Sequence, residues 1–154
     1  MTWTAHLPAL QVVVPLLAAP LTVLLRRRDL AFAVALAASA WALVAAVALW
    51  LQVDRQGTLS YAIGNWPPPW GIEYRVDRLT ALMLVLVSGI STVVLPCTWR
   101  SIDDEIPPRQ HYLFYTMWLL CLTGLLGMSI TGDAFNIFVF LEISSLSSYV
   151  LIAL

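Results

Sequence analysis

Residues 31–51 read AFAVALAASAWALVAAVALWL, a long stretch without a single charged side chain. A helix needs roughly 20 predominantly apolar residues to cross the ~30 Å hydrocarbon core of a bilayer. This stretch is long enough, and Trp50 near its end suits the membrane–water interface. The sequence therefore predicts a transmembrane helix over about residues 30–53.

Four further stretches meet the same length criterion, at residues 7–25, 76–99, 111–130 and 134–154. In the whole chain of 154 residues, 60% of side chains are hydrophobic and only 11% are charged, with a mean hydropathy of +0.84. A soluble domain carries about a quarter charged residues. We therefore predict an all-α, polytopic transmembrane bundle of about five spans that occupies residues 1–154 as a single domain in the lipid bilayer. The composition argues against a disordered chain, a disulfide scaffold and a nucleic-acid-binding protein.

The first span contains Pro8, Pro15 and Pro20, which predict a kinked or partly unwound helix. Three arginines follow it directly, at residues 26–28. Short loops rich in arginine face the cytoplasm. The N-terminus is therefore predicted outside, and the loop between the third and fourth spans inside.

Residues 54–75 form the long outer connection between the second and third spans. Short apolar runs flank a Gly64–Asn65 pair and three prolines at residues 67–69, a pattern that predicts either a hairpin or a rigid loop on the membrane. Trp66, Trp70 and Tyr74 are expected in the headgroup zone.

Glu142 is the charged residue that needs a special explanation. It follows Asp133, at the start of the fifth span, by nine residues, which places it ~13 Å along a helix and near the bilayer centre. A carboxyl group costs on the order of 2.5–3.5 kcal/mol at that depth. The functional interpretation is an ion or proton pathway, and the structural alternative is a protonated side chain that hydrogen-bonds between packed helices.

Two polar residues share the helix face of Glu142. Ser145 and Tyr149, three and seven positions further on, extend a polar seam that could hold water molecules. Ser144 and Ser148 lie on another side with a spacing typical of close helix packing, for which Gly124 and Gly127 in the fourth span are also suited. Asp133 favours a helix cap, with a role in proton uptake as the alternative.

The remaining candidates indicate no metal or cofactor site. His6 and His111 are expected at opposite membrane surfaces, so they do not form a metal pair. Cys97 and Cys121 lack the spacing of a paired motif. No phosphate loop, dinucleotide fingerprint or nucleophile triad is present in the sequence, and we predict no cofactor.

The run ITGDAFNIFVFLEISSLSSYVLIAL, residues 130–154, resembles the fifth helix of the proton-translocating antiporter-type membrane subunits. This family comprises large membrane subunits of respiratory complex I (NADH:quinone oxidoreductase) and the D subunit of Mrp cation/proton antiporters. The Gly132–Asp133 opening and the serine-rich tail are most similar to the Mrp D branch. HLPALQVVVPLLAAPL at the start and VDRLTALMLVLVSGI at the third span are also similar to the family.

The resemblance implies a larger protein and a specific role for one carboxylate. Family members have about fourteen membrane-spanning helices of this length, so the chain is expected to be the N-terminal part of such a subunit. In the family the fifth-helix glutamate, Glu142 here, pairs with a lysine on a later helix and tunes the pKa of that lysine. All eight basic residues of this sequence are arginines. The lysine-bearing helix is therefore expected in a C-terminal part or a partner chain.

Three functions follow from these observations. The first is a membrane component of a monovalent cation/proton antiporter, located in a bacterial inner membrane beside other membrane subunits. The second is a proton-pumping membrane-arm subunit of an NADH:quinone oxidoreductase-like complex, in which redox chemistry takes place in other subunits. The third is a scaffold remnant that transports nothing, which the absence of lysine favours.

Overall fold

The computed structural model describes residues 3–66 and 70–154. It contains five long helices: α1 (Leu7–Leu25), α2 (Arg28–Gln56), α3 (Arg78–Glu105), α4 (His111–Ile130) and α5 (Ala134–Ala153). Each of the five is long and apolar enough to cross a membrane. The predicted all-α membrane bundle is confirmed.

Two predictions about individual helices need correction. Helix α3 continues six residues beyond the expected end at Trp99, because residues 100–105, four of which are charged, extend past the apolar segment without breaking the helix. Helix α1 is continuous through Pro15 and Pro20, and Pro8 lies in its first turn, where the missing N–H has no helical partner to lose. No part of α1 is unwound, so that alternative is wrong, and the kink at the prolines stays a prediction.

The helices form an up-and-down bundle in which α4 is central. Helix α1 packs against α2 and α4, α2 also packs against α3, and α5 packs mainly on α4. The first connection is a two-residue turn, in which Arg26 adopts a left-handed conformation (φ 49°) and donates its backbone N–H to Thr22. We call this end of the bundle, with Arg26, Arg27 and Arg28, the arginine end.

The opposite end carries an antiparallel hairpin of β1 (Leu59–Ala62) and β2 (Glu73–Val76), and we call it the hairpin end. The pairing runs from Leu59 opposite Val76 to Ala62 opposite Glu73. Of the two forms expected for this connection, the hairpin is therefore the observed one. The three prolines at residues 67–69 lie outside the described residues.

The hairpin separates the three aromatic residues expected in the headgroup zone. Trp66 and Trp70 are exposed, but Tyr74 is only 5% exposed and packs in the core. Tyr74 also pairs with Thr131 in an isolated β-bridge, which attaches β2 to the connection between α4 and α5. Burial raises the pKa of the Tyr74 phenol, while a hydrogen bond with Asn136 opposes that shift.

The start of α3 provides a test of helix capping. Asp77 accepts a hydrogen bond of 2.7 Å from the backbone N–H of Thr80, and this bond holds the pKa of the carboxyl below its usual range. The stabilisation is therefore present at neutral pH and is lost as the pH falls through the folded-state pKa. We expect Asp77→Ala to lower the unfolding free energy by ~1 kcal/mol at neutral pH.

Asp77→Asn is the matched control for the pH dependence. The amide oxygen still caps the helix but does not titrate. Thermal unfolding of the purified protein should therefore depend less on acidic pH for Asp77→Asn than for the wild type. Identical pH profiles for the two proteins would show that the Asp77 cap does not contribute to acid sensitivity.

Candidate functional site

Hydrogen bonds at the hairpin end fix the start of α5. The Asp133 carboxylate accepts from the backbone N–H of Asn136 at 3.1 Å and so caps the helix. The Asn136 side-chain amide donates to the Thr131 hydroxyl at 3.1 Å. The backbone N–H of Gly132 donates to the Glu73 carbonyl of β2 at 2.8 Å. The hairpin and the first turn of α5 are therefore held together.

Close packing on α4 fixes the rotation of α5. A Cβ atom added to Gly124 would lie 2.7 Å from both Cβ and the backbone nitrogen of Ser144. One added to Gly127 would lie 2.3–2.5 Å from the Phe140 ring. Ser144 and Phe140 are accordingly buried. The two glycines and Ser144 form the close helix contact that their spacing indicated.

Ser148 contributes to the same interface. Its hydroxyl lies 3.4 Å from the Cys121 sulfur of α4 and donates to the Ser144 carbonyl at 2.8 Å. A small cavity of about 160 Å³ adjoins Cys121, between α4 and residues Ser91 and Leu151 of the neighbouring helices. Its walls are mostly apolar.

Because α5 turns this face toward α4, Glu142 lies on the opposite, outward face. Glu142 is exposed, and its neighbours on that face, Phe138, Leu146 and Tyr149, are 59%, 59% and 67% exposed. Within the described residues Glu142 has neither a salt bridge nor a side-chain hydrogen bond. The five-helix bundle therefore presents this carboxylate outward from its own core.

The predicted polar seam follows the same face only in part. Ser145 is half-buried, and Tyr149, one turn further along α5, is exposed. Among the described side chains, no direct hydrogen bond joins Glu142, Ser145 and Tyr149. Asp133 lies at the hairpin end of the helix, where it serves as the cap.

The two histidines lie at opposite ends of the bundle. His6 is within 3.0 Å of the Tyr61 hydroxyl on the hairpin, whereas His111 is buried, with Nε2 at 2.8 Å from the Ile106 carbonyl oxygen. In the part of the chain that the structure describes, no cluster of three or more His, Cys, Asp or Glu could hold a metal ion.

Sequence reasoning missed the polar contacts between helices. The Thr22 and Thr116 hydroxyls are 2.7 Å apart, which joins α1 to α4. The Ser91 hydroxyl accepts from the Trp118 indole at 2.9 Å and lies 3.2 Å from that of Ser39. Single hydroxyl groups in apolar helices are common, and only their partner on another helix distinguishes them.

Comparison with known proteins finds similar membrane subunits. The chain is 43% identical to NADH-quinone oxidoreductase subunit N of Desulforudis audaxviator over 153 residues. This aligned region covers 97% of this chain and 30% of that protein. It is 34% identical to the D subunit of a probable K⁺/H⁺ antiporter of Rhizobium meliloti, over 96% of this chain and 28% of that protein. No protein-family model matches the chain.

Two solved membrane complexes contain a chain of the same fold. One is the archaeal membrane-bound sulfane sulfur reductase, with a TM-score of 0.84 and 27% identity over 94% of this chain and 30% of that one. The other is the Mrp complex of Dietzia sp. DQ12-45-1b, with a TM-score of 0.78 and 30% identity over 97% of this chain and 27% of that one.

These findings define a multi-pass membrane protein of the kind found in multi-subunit membrane complexes. More particularly, the chain is homologous to the antiporter-type membrane subunits, as the motif in α5 indicated. It spans less than a third of the length of the relatives described above.

Proposed function

We propose that this chain is the N-terminal part of an ion-translocating subunit of a monovalent cation/proton antiporter of the Mrp D type, with Glu142 as its proton-relay carboxylate. The observation that carries the proposal is the outward-facing carboxylate nine residues beyond the Asp133 cap, at a depth of ~13 Å along α5. Relatives named as the D subunits of antiporters support the proposed reaction class.

The exposed position of Glu142 suits a relay that functions between two helices. An ionised carboxylate in hydrocarbon is costly, and an adjacent cation lowers that cost. A lysine on a helix that covers the outward face of α5 would be such a cation. The carboxylate would raise the pKa of that ammonium group while the two are close, and the pKa would fall when they separate. Movement of the pair would thereby couple proton uptake to proton release.

Ser145 and Tyr149 have supporting roles in this proposal. Both lie on the arginine-end side of Glu142, and their hydroxyls would hold water molecules once another helix covers the face. Asp133 at the other end of α5 would attract protons or cations in addition to its role as a cap. The roles of Ser145 and Tyr149 depend on another helix that covers this face of α5.

The proposed orientation follows from the distribution of arginines. Five of the eight arginines lie toward the arginine end, at residues 26, 27, 28, 100 and 109. By the positive-inside rule we assign this end to the cytoplasm and the hairpin end to the outside of a bacterial inner membrane. Other membrane subunits would surround the chain, in keeping with the complexes in which its homologues occur.

A second candidate is a proton-pumping subunit in a redox-driven complex. The relative named NADH-quinone oxidoreductase subunit N and the fold shared with the sulfane sulfur reductase complex favour it. The two candidates differ in what drives proton movement. Proton movement that requires an added monovalent cation indicates the antiporter, whereas proton movement that requires NADH or another reductant indicates the pump.

Chemical modification of Glu142 tests both candidates. Dicyclohexylcarbodiimide reacts with protonated carboxyl groups in apolar surroundings. Glu142 is the acidic residue that lies midway along a span, whereas the others lie near helix ends or in connections. In native membranes we expect the reagent to inhibit proton movement and to label the peptide that contains Glu142, as detected by mass spectrometry. Glu105, at the charged end of α3, is the internal control and should remain unlabelled. Inhibition without a label on Glu142 would contradict the relay role.

A further inference from the structure

An apolar groove of about 490 Å³ lies on the outer surface of the bundle between α1 and α2. All of its lining residues are apolar, and they are Val14, Ala18 and Leu21 of α1 and Val34, Ala37, Ala38 and Trp41 of α2. Because an alanine side chain ends at Cβ, the three alanines leave space between the larger side chains on either side of them. The groove is therefore shaped for an apolar occupant.

The groove follows α2 toward the two-residue turn at the arginine end. Val34, Ala38 and Trp41 recur at helical spacing, and Arg27 precedes Val34 by seven residues, so Arg27 continues the same stripe of α2. At a rise of 1.5 Å per residue, Trp41 lies ~21 Å along the helix axis from Arg27. One leaflet of a bilayer with its headgroups is roughly 20 Å thick. The stripe therefore has the length of one leaflet.

Two cations without a partner lie at the end of this stripe. The side chains of Arg26 and Arg27 are exposed, and within the described part of the chain neither forms a salt bridge. Arg28 differs from them, because its guanidinium is paired with Asp103. Asp29, exposed in the first turn of α2, opposes the two cations with one negative charge. The turn therefore keeps a net positive charge beside the apolar groove.

We propose that the groove binds an anionic phospholipid, with an acyl chain along α1 and α2 and the phosphate at Arg26 and Arg27. Guanidinium groups bind phosphate oxygens in a bidentate manner, and basic residues next to membrane helices favour anionic headgroups. A phospholipid joins an anionic group to an apolar chain, which is the combination that the turn and the groove accept. A further membrane helix would fill the groove but would leave the two arginines without a counter-charge. The site is independent of Glu142, since α5 does not line the groove.

Photoreactive lipids test this site in the complete assembled subunit. The protein is reconstituted in vesicles of equal parts phosphatidylglycerol and phosphatidylcholine, with a trace of either lipid carrying a diazirine in its acyl chain. Mass spectrometry locates the labelled residues after illumination. One net basic charge favours an anionic lipid by roughly fivefold. We therefore expect residues 14–21 and 34–41 to take roughly fivefold more label from phosphatidylglycerol than from phosphatidylcholine.

A second apolar groove, between α2 and α3 at the hairpin end, is the internal control. It is lined by Val47, Trp50, Leu82 and Val85. Arg78, one turn before Leu82, is paired with Asp54 at 3.5 Å, so this groove should take equal label from the two lipids. Equal label in the groove between α1 and α2 would show ordinary bilayer lipid there and would overturn the proposal. Absence of label from both lipids would overturn it as well, because another helix would then cover the groove.

Substitutions separate the headgroup contact from the acyl-chain contact. The double variant Arg26→Gln, Arg27→Gln should lose the preference for phosphatidylglycerol, whereas Arg100→Gln with Arg109→Gln, at the same end of the bundle but away from the groove, should keep it. Ala37→Phe fills the groove without changing an arginine and should lower the label from both lipids. This variant keeps the test decisive if the double variant does not fold. An unchanged preference in the double variant, or full label in Ala37→Phe, would contradict the proposed site.

Discussion

Glu142→Gln, introduced into the complete assembled subunit, is expected to lower the rate of coupled proton movement by roughly 100-fold, the scale of losing a positioned proton-transfer group. Glutamine has the size and polarity of glutamic acid but neither accepts nor releases a proton near neutral pH. The measurement is proton movement in inverted membrane vesicles, driven by a monovalent cation for an antiporter or by a reductant for a pump.

Two further variants separate loss of the relay from loss of folding. Glu142→Asp keeps an ionisable group on the same face of α5 and should recover part of the activity. Glu105→Gln makes the same chemical change at the charged end of α3 and should leave transport unchanged. Normal transport by Glu142→Gln at a normal protein level would exclude the relay role and favour the scaffold function.

Gly124→Ala is expected to destabilise the contact between α4 and α5. The new Cβ would lie 2.7 Å from the backbone nitrogen of Ser144 and 2.8 Å from the Phe140 carbonyl oxygen. Because these are main-chain atoms, a rotamer change cannot relieve the clash, and α5 must move away from α4. We expect a cost of ~1–3 kcal/mol from overpacking, which exceeds the gain in helix propensity.

Gly89→Ala is the matched control for Gly124→Ala. Gly89 also lies inside a long helix, but its added Cβ would meet only Cδ1 of Leu43, at an ordinary 3.8 Å. This variant should be as stable as the wild type or more stable, since alanine favours helix over glycine by about 1 kcal/mol. Thermal unfolding in detergent compares the two. Equal stability of the variants would show that α5 is not held tightly on α4.

The two substitutions together test whether the packing of α5 affects the proposed relay. Gly124 lies on the face of α4 that receives Ser144, two residues beyond Glu142. Movement of α5 would change the direction in which Glu142 points. If Glu142 is the relay, a folded Gly124→Ala protein should therefore show slower transport as well as lower stability.

The sequence by itself determined the number and approximate extent of the spans. The bounds of α1 and α4 coincide with the apolar stretches 7–25 and 111–130, because a membrane span depends on a local run of apolar residues. The motif around Glu142 was sufficient to indicate the antiporter-type subunits, to which the comparisons then showed the chain to be homologous. The position of Glu142 along α5 also followed from the sequence, since it needs only the helix start and the rise per residue.

Tertiary structure decided which way the side chains face. Tyr74 belongs to a loop expected at the headgroups, yet it packs inside because β2 pairs with the connection before α5. Helix α5 has apolar side chains on every side, so its hydropathy does not show which face packs, although the spacing of Ser144 and Ser148 indicated one. In a bilayer, lipid and protein are equally suitable surroundings for an apolar side chain. Contacts of Ser144 and Phe140 with glycines of α4 therefore determine the rotation of α5, and with it the outward position of Glu142.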